Sequence, residues 1–263
     1  MSDAMAAEFD TVAKWTAEVA LELGPEYLLP AACRGSGGPA VLQYLIEQLG
    51  ITAADRMLDC GAGVGGPGAF AADRVGVRPM LTDPEPGACS ASQRLFGLPV
   101  VRAGSGLPFR AESFDVIWCL AVLCTVGDQL QLLQELRRVL APAGRCGLLV
   151  YLARHLPLAE QPEGNNFPTA QGLQDQLIDA GWEVKTWTAV EDFEQAPPEW
   201  RQRSDEVDAE LARRHRGDPV WDTAAQQAEL FGELLARGDV NGHVLVLVPG
   251  RSMHRERGEV FVR

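Results

Sequence analysis

The amino-acid sequence predicts an α/β fold of the doubly wound kind, in which a mostly parallel sheet carries helices on both faces. Seven short apolar strand candidates alternate with amphipathic helices along the 263 residues, as this fold class requires. The first candidate, residues 57–60, contains Asp59 and enters a glycine-rich turn, and the second ends on Asp83. Because the carboxyl ends of parallel strands meet at one edge of a sheet, we expect both acids beside a ligand crevice.

The turn after the first strand has the properties of a cofactor-binding loop. Gly61, Gly63 and Gly65 alternate, which removes the side chains that would keep a ligand from the backbone and permits positive φ angles. Pro67 then suits the first turn of a helix, because its missing N–H group would have no partner there. The turn therefore predicts that a nucleotide-like ligand binds at the start of this helix.

Two turn signals set the expected limits of the later strands. Ala141–Gly144 is expected to turn the chain into a fifth strand over residues 145–152. Asn241 and Gly242 are expected to form a turn ahead of the last strand, and a weak further strand is expected at the end of the charged tail.

Asp59 stands two residues before the first glycine of the turn, and the chain thereby resembles the acid-x-Gly-x-Gly-x-Gly signature of class I S-adenosylmethionine-dependent methyltransferases. The resemblance covers roughly residues 40–190 and again 241–249. It implies a doubly wound, seven-stranded, Rossmann-like methyltransferase sheet whose last strand is antiparallel. Its sharpest segments are residues 57–66, 107–120 and 136–151.

The resemblance also implies which residues hold S-adenosylmethionine. Asp83 follows the glycine turn at about the separation at which a nucleotide-binding fold places a carboxylate against both ribose hydroxyls. Arg34 is the cation available in the preceding loop to meet the cofactor's carboxylate, and the alternative is an exposed loop arginine. The expected cofactor-binding residues are Arg34, Asp59, Gly61, Ala62, Gly63, Gly65, Asp83, Pro84, Gly104, Ser105, Cys119 and Leu120.

Three positions bear on the rest of the site. Ala103 stands where relatives usually carry an acid that reaches the adenine amino group, which leaves that contact to backbone or to Ser105. Cys124 and Thr125 stand where many relatives carry a histidine, and nothing near Cys124 in sequence favours a reactive thiol. His155, in the loop after the fifth strand, is the candidate catalytic residue, because an imidazole can accept a proton near neutral pH. An ordinary loop histidine is the alternative.

The chain divides into four expected parts. Residues 1–50 form an N-terminal helical lid, and residues 51–190 form the S-adenosylmethionine-binding core. Residues 191–240 are a charged helical insertion, which we expect to cover a substrate or to contact a second subunit. Residues 241–263 hold the last strand and the tail.

Composition limits the partners. With 36 acidic and 23 basic residues, the formal net charge is −13, which disfavours nucleic acid because binding a polyanion needs a cationic surface. No apolar stretch approaches the length that spans a bilayer, and the six cysteines show no metal-ligand spacing. We therefore expect a cytoplasmic monomer or homodimer with a small-molecule substrate, no metal and no membrane partner.

The expected function is methyl transfer from S-adenosylmethionine to oxygen, nitrogen or carbon of a small molecule. Two alternatives stay open beside a protein or RNA methyltransferase, whose RNA form the acidity of the chain disfavours. An S-adenosylmethionine-binding protein of this fold can catalyse a reaction other than methylation, or only bind. The spacing of Gly61, Gly63 and Gly66 also fits a dinucleotide fingerprint, which leaves an NAD(P)-dependent oxidoreductase as the second alternative.

Overall fold

The computed structural model describes residues 7–250 and contains one seven-stranded sheet. Its strands are β1 (Met57–Cys60), β2 (Met80–Asp83), β3 (Val100–Arg102), β4 (Phe114–Leu120), β5 (Leu140–Ala153), β6 (Trp182–Ala189) and β7 (Val240–Pro249). They lie in the order β3-β2-β1-β4-β5-β7-β6, and β7 is antiparallel to both neighbours while the other paired strands are parallel. The doubly wound fold and the antiparallel last strand are confirmed.

Helices cover both faces of this sheet and its carboxyl edge. They are α1 (Ala13–Leu23), α2 (Pro25–Ala32), α3 (Gly38–Leu49), α4 (Gly66–Val75), α5 (Pro86–Phe96), α6 (Gln129–Val139), α7 (Ala170–Asp179), α8 (Pro198–His215) and α9 (Pro219–Arg237). A π-helical turn, Ala7–Val12, precedes α1. Within residues 7–250, no helix combines the length and the apolar character that crossing a membrane needs. The strand expected in the charged tail lies outside the described residues.

β4 lies at the centre of the core because both of its faces are covered. Val116 and Trp118 are fully buried against residues of α3 and α4 on one face of the sheet. Ile117 and Cys119 are fully buried against residues of α6 and α7 on the other face. A strand of a parallel sheet that is covered on both sides is apolar rather than alternating, as this one is from Val116 to Leu120.

The expected turn at residues 241–242 is wrong, because both residues belong to β7. Asn241 pairs with Leu152 in the antiparallel ladder between β5 and β7. Gly242 is needed for close packing: a Cβ atom there would lie 2.9 Å from Val190 and 3.1 Å from Tyr151. Pairing with the long β5 strand therefore overrides the local turn signal.

The expected turn at Ala141–Gly144 is also corrected, because these residues lie within β5. Leu140 pairs with Phe114 and Arg145 pairs with Val116, so the register jumps between the two pairs. Residues 141–144 consequently form a bulge in the strand rather than a separate turn before it.

The N-terminal helices and the insertion pack together as one helical layer, formed by Ala7–Val12, α1, α2, α8 and α9. Val207 and Leu211 of α8 are fully buried in one cluster with Ala17 and Ala20 of α1. α9 in turn contacts the π-helical turn. The expected lid, residues 1–50, and the expected insertion, residues 191–240, are far apart in sequence but belong to the same helical layer. The domain boundaries stay predictions.

This helical layer is seated on the carboxyl edge of the sheet by two glycines. A Cβ atom on Gly66, in the first turn of α4, would lie 2.3 Å from the carbonyl of Ala32 in α2. A Cβ atom on Gly87, in the first turn of α5, would lie 2.0 Å from the carbonyl oxygen of Asp10, whose side chain accepts the Gly87 N–H. Since α4 follows β1 and α5 follows β2, the layer covers the ends of both strands.

We predict that Gly87→Ala detaches the π-helical turn from α5, because backbone at 2.0 Å cannot be displaced as a flexible side chain can. Overpacking of this kind costs about 1–3 kcal/mol. Hydrogen exchange measured by mass spectrometry should show faster exchange of the amides in residues 9–23. Gly232→Ala in α9 is the matched control, because a Cβ atom there meets nothing within 4 Å. Equal protection of residues 9–23 in the two variants would contradict the prediction.

Candidate functional site

The glycine-rich loop between β1 and α4 is held against the end of β2. The Thr82 carbonyl accepts N–H groups from Gly61 at 2.8 Å and from Ala62 at 2.9 Å. Gly61, Gly63 and Gly65 have φ angles of 70°, 55° and 87°, a region that disfavours residues with a Cβ atom. The alternating glycines are thus required by the backbone of the loop, as the sequence predicts.

The three glycines differ in what surrounds them. A Cβ atom on Gly61 would lie 2.3 Å from the Val122 side chain, and one on Gly65 would lie 2.8 Å from Ser92. A Cβ atom on Gly63 would meet nothing within 4 Å. The loop is therefore packed tightly at both ends and open at its middle, which gives a ligand access to the backbone at Gly63.

Asp83 joins β2 to this open part of the loop. Its Oδ2 atom accepts the Gly63 N–H at 2.8 Å, and its Oδ1 atom accepts the Glu85 N–H at 3.0 Å. Burial raises the pKa of the Asp83 carboxyl, and the two backbone N–H groups oppose that rise. Each oxygen keeps a further lone pair, so the carboxylate can accept the two hydroxyls of a ribose while it holds the loop.

Asp59 lies beneath the first turn of α4 and is 1% exposed. Burial raises the pKa of its carboxyl to about 7, the Gly68 N–H opposes the rise, and the charge of Asp83 adds to it. The Asp59 Oδ2 atom lies against α4, 3.0 Å from where a Cβ atom on Gly68 would stand, so the side chain fills the space beneath the start of that helix. Its side chain therefore supports the loop from inside, and a direct contact with the cofactor stays a prediction.

Arg34 is held within the helical layer. It forms an ion pair with Asp208 of α8, and it donates to Thr16 Oγ1 at 3.0 Å and to the Ala31 carbonyl at 3.1 Å. These contacts tie the loop after α2 to both α1 and α8. Its expected contact with the cofactor carboxylate stays a prediction.

The adenine side of the predicted site is made by chain segments after β2 and β3. The Ala103 N–H donates to the Asp83 carbonyl at 3.0 Å, which brings the segment that follows it beside Asp83. Gly104 is exposed and Ser105 is half-buried there. The Pro84 carbonyl accepts a hydrogen bond from Arg102 at 2.8 Å. The roles of Pro84, Gly104 and Ser105 toward adenine stay predictions.

The end of β4 holds two residues whose expected contact with the cofactor stays a prediction, Cys119 and Leu120, followed by two that the sequence did not single out. Cys119 is fully buried, and Leu120 is 7% exposed. The next two residues, Ala121 and Val122, keep accessible surface, and Ala121 has a φ of 61°, which is uncommon for a residue with a side chain. Val122 contacts the glycine loop at Gly61. No local signal in the sequence predicts this backbone conformation.

Aromatic side chains gather at the end of β5. The Phe167 and Phe231 rings are stacked with centroids 5.9 Å apart, and Tyr151 meets Phe231 edge-on at 4.9 Å. Cys124, where relatives often have histidine, packs in the same cluster. Burial raises the pKa of its thiol to about 12, which keeps the thiol protonated at neutral pH, as the sequence predicts.

His155 lies in the loop after β5 and is exposed. Its side chain makes no hydrogen bond to any residue between 7 and 250. Its candidate catalytic role stays a prediction. Among the described residues, no group of three or more His, Cys, Asp or Glu side chains is arranged to hold a metal ion.

Comparison with known proteins assigns the middle of the chain to a family. Residues 58–148 match the sequence profile of the methyltransferase domain. The chain is 28% identical over 125 residues to the methyltransferase GfsG of Streptomyces halstedii, covering 44% of this chain and 45% of that protein. It is 32% identical over 157 residues to an uncharacterized protein of Mycobacterium tuberculosis, covering 55% of this chain and 51% of that protein. The chain thus spans about half the length of these relatives.

Solved structures share the fold. The [4+2]-cyclase SpnF superposes with a TM-score of 0.63 at 20% identity, over 80% of each chain. Phosphoethanolamine N-methyltransferase 2 of Haemonchus contortus gives a TM-score of 0.61 at 15% identity, over 80% of this chain and 52% of that one. Geranyl diphosphate C-methyltransferase of Streptomyces coelicolor A3(2) gives 0.57 at 16% identity, over 79% of each chain.

We predict that Asp59 makes the stability of the fold depend on pH in a defined direction. The folded protein holds the Asp59 proton up to a pKa of about 7, against about 3.8 in the unfolded chain, so its stabilising contribution is full below pH 4 and is lost as the pH rises toward 7. Between pH 4 and pH 8 the free energy of unfolding should fall in the wild type relative to Asp59→Asn, by on the order of 4 kcal/mol. Urea unfolding measures it, and a constant difference between the two proteins would contradict it.

The geometry and the comparisons agree on the same segment of the chain. The profile match begins within β1 and includes the glycine loop, Asp83 and β4, which are the parts that build the open position above Gly63. The sheet and its flanking helices also superpose on solved structures over 80% of the chain. Residues 58–148 therefore match a methyltransferase domain, and the chain has the Rossmann-like fold of the methyltransferase and cyclase structures that it resembles.

Proposed function

We propose that the protein transfers the methyl group of S-adenosylmethionine to a small molecule. One observation carries the proposal: the Asp83 carboxylate is tied to the N–H of Gly63, at the point where the glycine loop is open. A carboxylate that already accepts one backbone N–H per oxygen has just the two remaining lone-pair positions that a ribose diol needs. The loop beside it offers backbone, free of side chains, to the rest of the cofactor.

The residues of the site fit this cofactor. Asp83 would hold the ribose, the loop from Gly61 to Gly65 would hold the methionine part, and Pro84 with Ser105 would flank the adenine. S-adenosylmethionine supplies a methyl group on a positively charged sulfur, which is electrophilic without further activation. The protein therefore has to align donor and acceptor at about 3 Å and to exclude water. The helical layer over the carboxyl edge would exclude water from the site.

The buried side chains near the end of β5 provide no base that could take a proton from the acceptor. Burial raises the pKa of both Cys124 and Tyr151 to about 12, so neither side chain accepts a proton at neutral pH. His155 is the candidate base, supplied from the exposed loop after β5. An acceptor that is nucleophilic without losing a proton, such as a neutral amine or an already ionised oxygen, would need no base.

We place the protein in the cytoplasm, as a monomer or homodimer whose partner is a small molecule. The net charge of −13 supports a substrate other than nucleic acid. The structures that share the fold are named as enzymes of small molecules, including geranyl diphosphate and phosphoethanolamine.

A second candidate function keeps the cofactor and omits the methylation. SpnF, which shares the fold at a TM-score of 0.63, is a [4+2]-cyclase. Cys124 and Tyr151, beside the end of β5, stay protonated at neutral pH and provide no base. This fits a reaction such as a [4+2] cyclisation, which needs no proton transfer. Release of S-adenosylhomocysteine during turnover of an acceptor separates the two functions, since it accompanies methyl transfer alone.

We predict that Gly63→Ala weakens binding of S-adenosylhomocysteine at least about tenfold, because the added methyl group enters the open position above the loop. Gly97→Ala is the matched control. Gly97 has a φ of 63°, close to the 55° of Gly63, and a Cβ atom there also meets nothing within 4 Å, but it is the C-cap of α5 and not part of the loop. Both variants therefore carry the same backbone strain, and Gly97→Ala should bind as the wild type does.

Isothermal titration with S-adenosylhomocysteine, and separately with NADH, measures this effect. Binding of NADH without binding of S-adenosylhomocysteine would favour an oxidoreductase and contradict the proposal. Equal affinities in the wild type and in Gly63→Ala would place the cofactor elsewhere.

A further inference from the structure

A cluster of uncharged side chains lies at the carboxyl end of β5. β5 pairs with β4, the strand whose following residue Val122 contacts the glycine loop. We call this group of side chains the aromatic cluster; it is formed by Cys124, Tyr151, Ala153, Leu158, Phe167, Phe231, Leu234 and Val240. Its members come from the turn after β4, from β5, from the loop that follows β5, from α9 and from the first residue of β7. None of these side chains carries a charge at neutral pH, since burial keeps both the thiol and the phenol protonated.

The segments around the aromatic cluster are fixed to one another by hydrogen bonds. The Asn166 N–H donates to the Cys124 carbonyl at 2.7 Å, which joins the loop after β5 to the turn after β4. The buried Gln129 amide then donates to the Asn166 carbonyl at 2.6 Å and to the Leu123 carbonyl at 3.1 Å. The segments that carry the cluster are therefore held in fixed positions, which lowers the ordering cost of binding a ligand on its accessible faces.

The helical layer closes the remaining side of the cluster. Phe231 and Leu234 belong to α9, and the Glu163 N–H in the loop after β5 donates to Gln227 of the same helix at 2.6 Å. Tyr151 and Phe231 nevertheless keep accessible surface. Their exposed faces are consequently available to a ligand that enters beneath the helical layer.

Tyr151 is the polar member of the cluster whose hydroxyl is poorly satisfied. Its one hydrogen bond within residues 7–250 is a long one, 3.4 Å to the carbonyl of Gly35. Burial, with a smaller effect of the Cys124 thiol, raises the pKa of the Tyr151 phenol to about 12, so the hydroxyl remains a donor. That bond lies at an exposed position, so the hydroxyl can exchange it for a stronger hydrogen bond to a ligand.

Charge excludes other classes of ligand from this position. An ion that is moved from water into apolar surroundings without a partner pays a large desolvation penalty. Of the nearby charged residues, Arg154, His155 and Glu160 are exposed on the loop after β5, and Arg34 is paired with Asp208. The cluster itself offers an incoming carboxylate or phosphate no countercharge.

We propose that the methyl acceptor is an uncharged, mainly apolar molecule that packs on the aromatic cluster and accepts a hydrogen bond at one oxygen from Tyr151. This inference rests on the proposed function, because it takes the space beside β4 and β5 as the acceptor side. Tyr151 determines specificity here by hydrogen bonding to the acceptor and takes no proton from it.

Three probes of one shape test the proposal in protein saturated with S-adenosylhomocysteine: 2-acetylnaphthalene, 2-ethylnaphthalene and 2-naphthoate. Isothermal titration should give tightest binding for the ketone, weaker binding for the hydrocarbon, and binding of the carboxylate at least about tenfold weaker than the ketone. Tyr151→Phe should bind the ketone about fivefold more weakly and the hydrocarbon unchanged, as expected for the loss of one neutral hydrogen bond.

Tyr44→Phe is the matched control, because the Tyr44 hydroxyl donates to Thr186 at 3.1 Å on β6, outside the aromatic cluster. It should leave all three affinities unchanged. Failure of the protein to bind S-adenosylhomocysteine overturns the proposed function, and this inference with it. When S-adenosylhomocysteine binds, three results overturn the inference alone: none of the probes binds, the naphthoate binds as tightly as the ketone, or Tyr151→Phe leaves the preference for ketone over hydrocarbon unchanged.

Discussion

The hydrogen bond from the Gly63 N–H to the Asp83 carboxylate, 2.8 Å long, is the interaction on which the site depends. Because the other carboxylate oxygen accepts the Glu85 N–H, one buried side chain fixes the glycine loop, the end of β2 and the start of α5 together. Burying an acid is costly, and the two charge-assisted hydrogen bonds offset part of that cost. The result is a carboxylate held ready at an open stretch of backbone.

The two halves of the site are built by different means. The cofactor half uses backbone groups and buried acids, and its shape is set by residues that lie within a short stretch of chain, from Asp59 to Asp83. The acceptor half uses aromatic and aliphatic side chains from β5, its following loop and α9. Such a division is expected, because enzymes that use the same cofactor need the same polar contacts to it. Their acceptor sites differ because their acceptors differ.

Local signals in the sequence predicted the geometry of the glycine loop well. The apolar run before Asp59, the alternating glycines and the acid ending β2 each report a property of a few neighbouring residues. The burial of Cys60, Cys119 and Cys146 is confirmed for the same reason, because it follows from the strand pattern. The antiparallel last strand, which the family resemblance implies, is confirmed as well.

Features that depend on distant contacts were not accessible from sequence. Asn241 and Gly242 form a strong turn signal, yet pairing with β5 makes them part of β7. Arg34 meets Asp208 across 174 residues, and no local pattern marks that partner. Tyr151 reads as an ordinary strand residue until α9 brings Phe231 against it. Each of these depends on how the insertion and the N-terminal helices pack, which periodicity does not encode.

A crystal structure of the protein with S-adenosylhomocysteine tests the central claim most directly. The account predicts both ribose hydroxyls within hydrogen-bonding distance of the Asp83 carboxylate, about 2.5–3.0 Å, with the Gly63 N–H bond to Asp83 retained. It also predicts the homocysteine part against the backbone of Gly61 to Gly65. A ribose bound away from Asp83, or a glycine loop that abandons Asp83 to accommodate the ligand, would contradict the account.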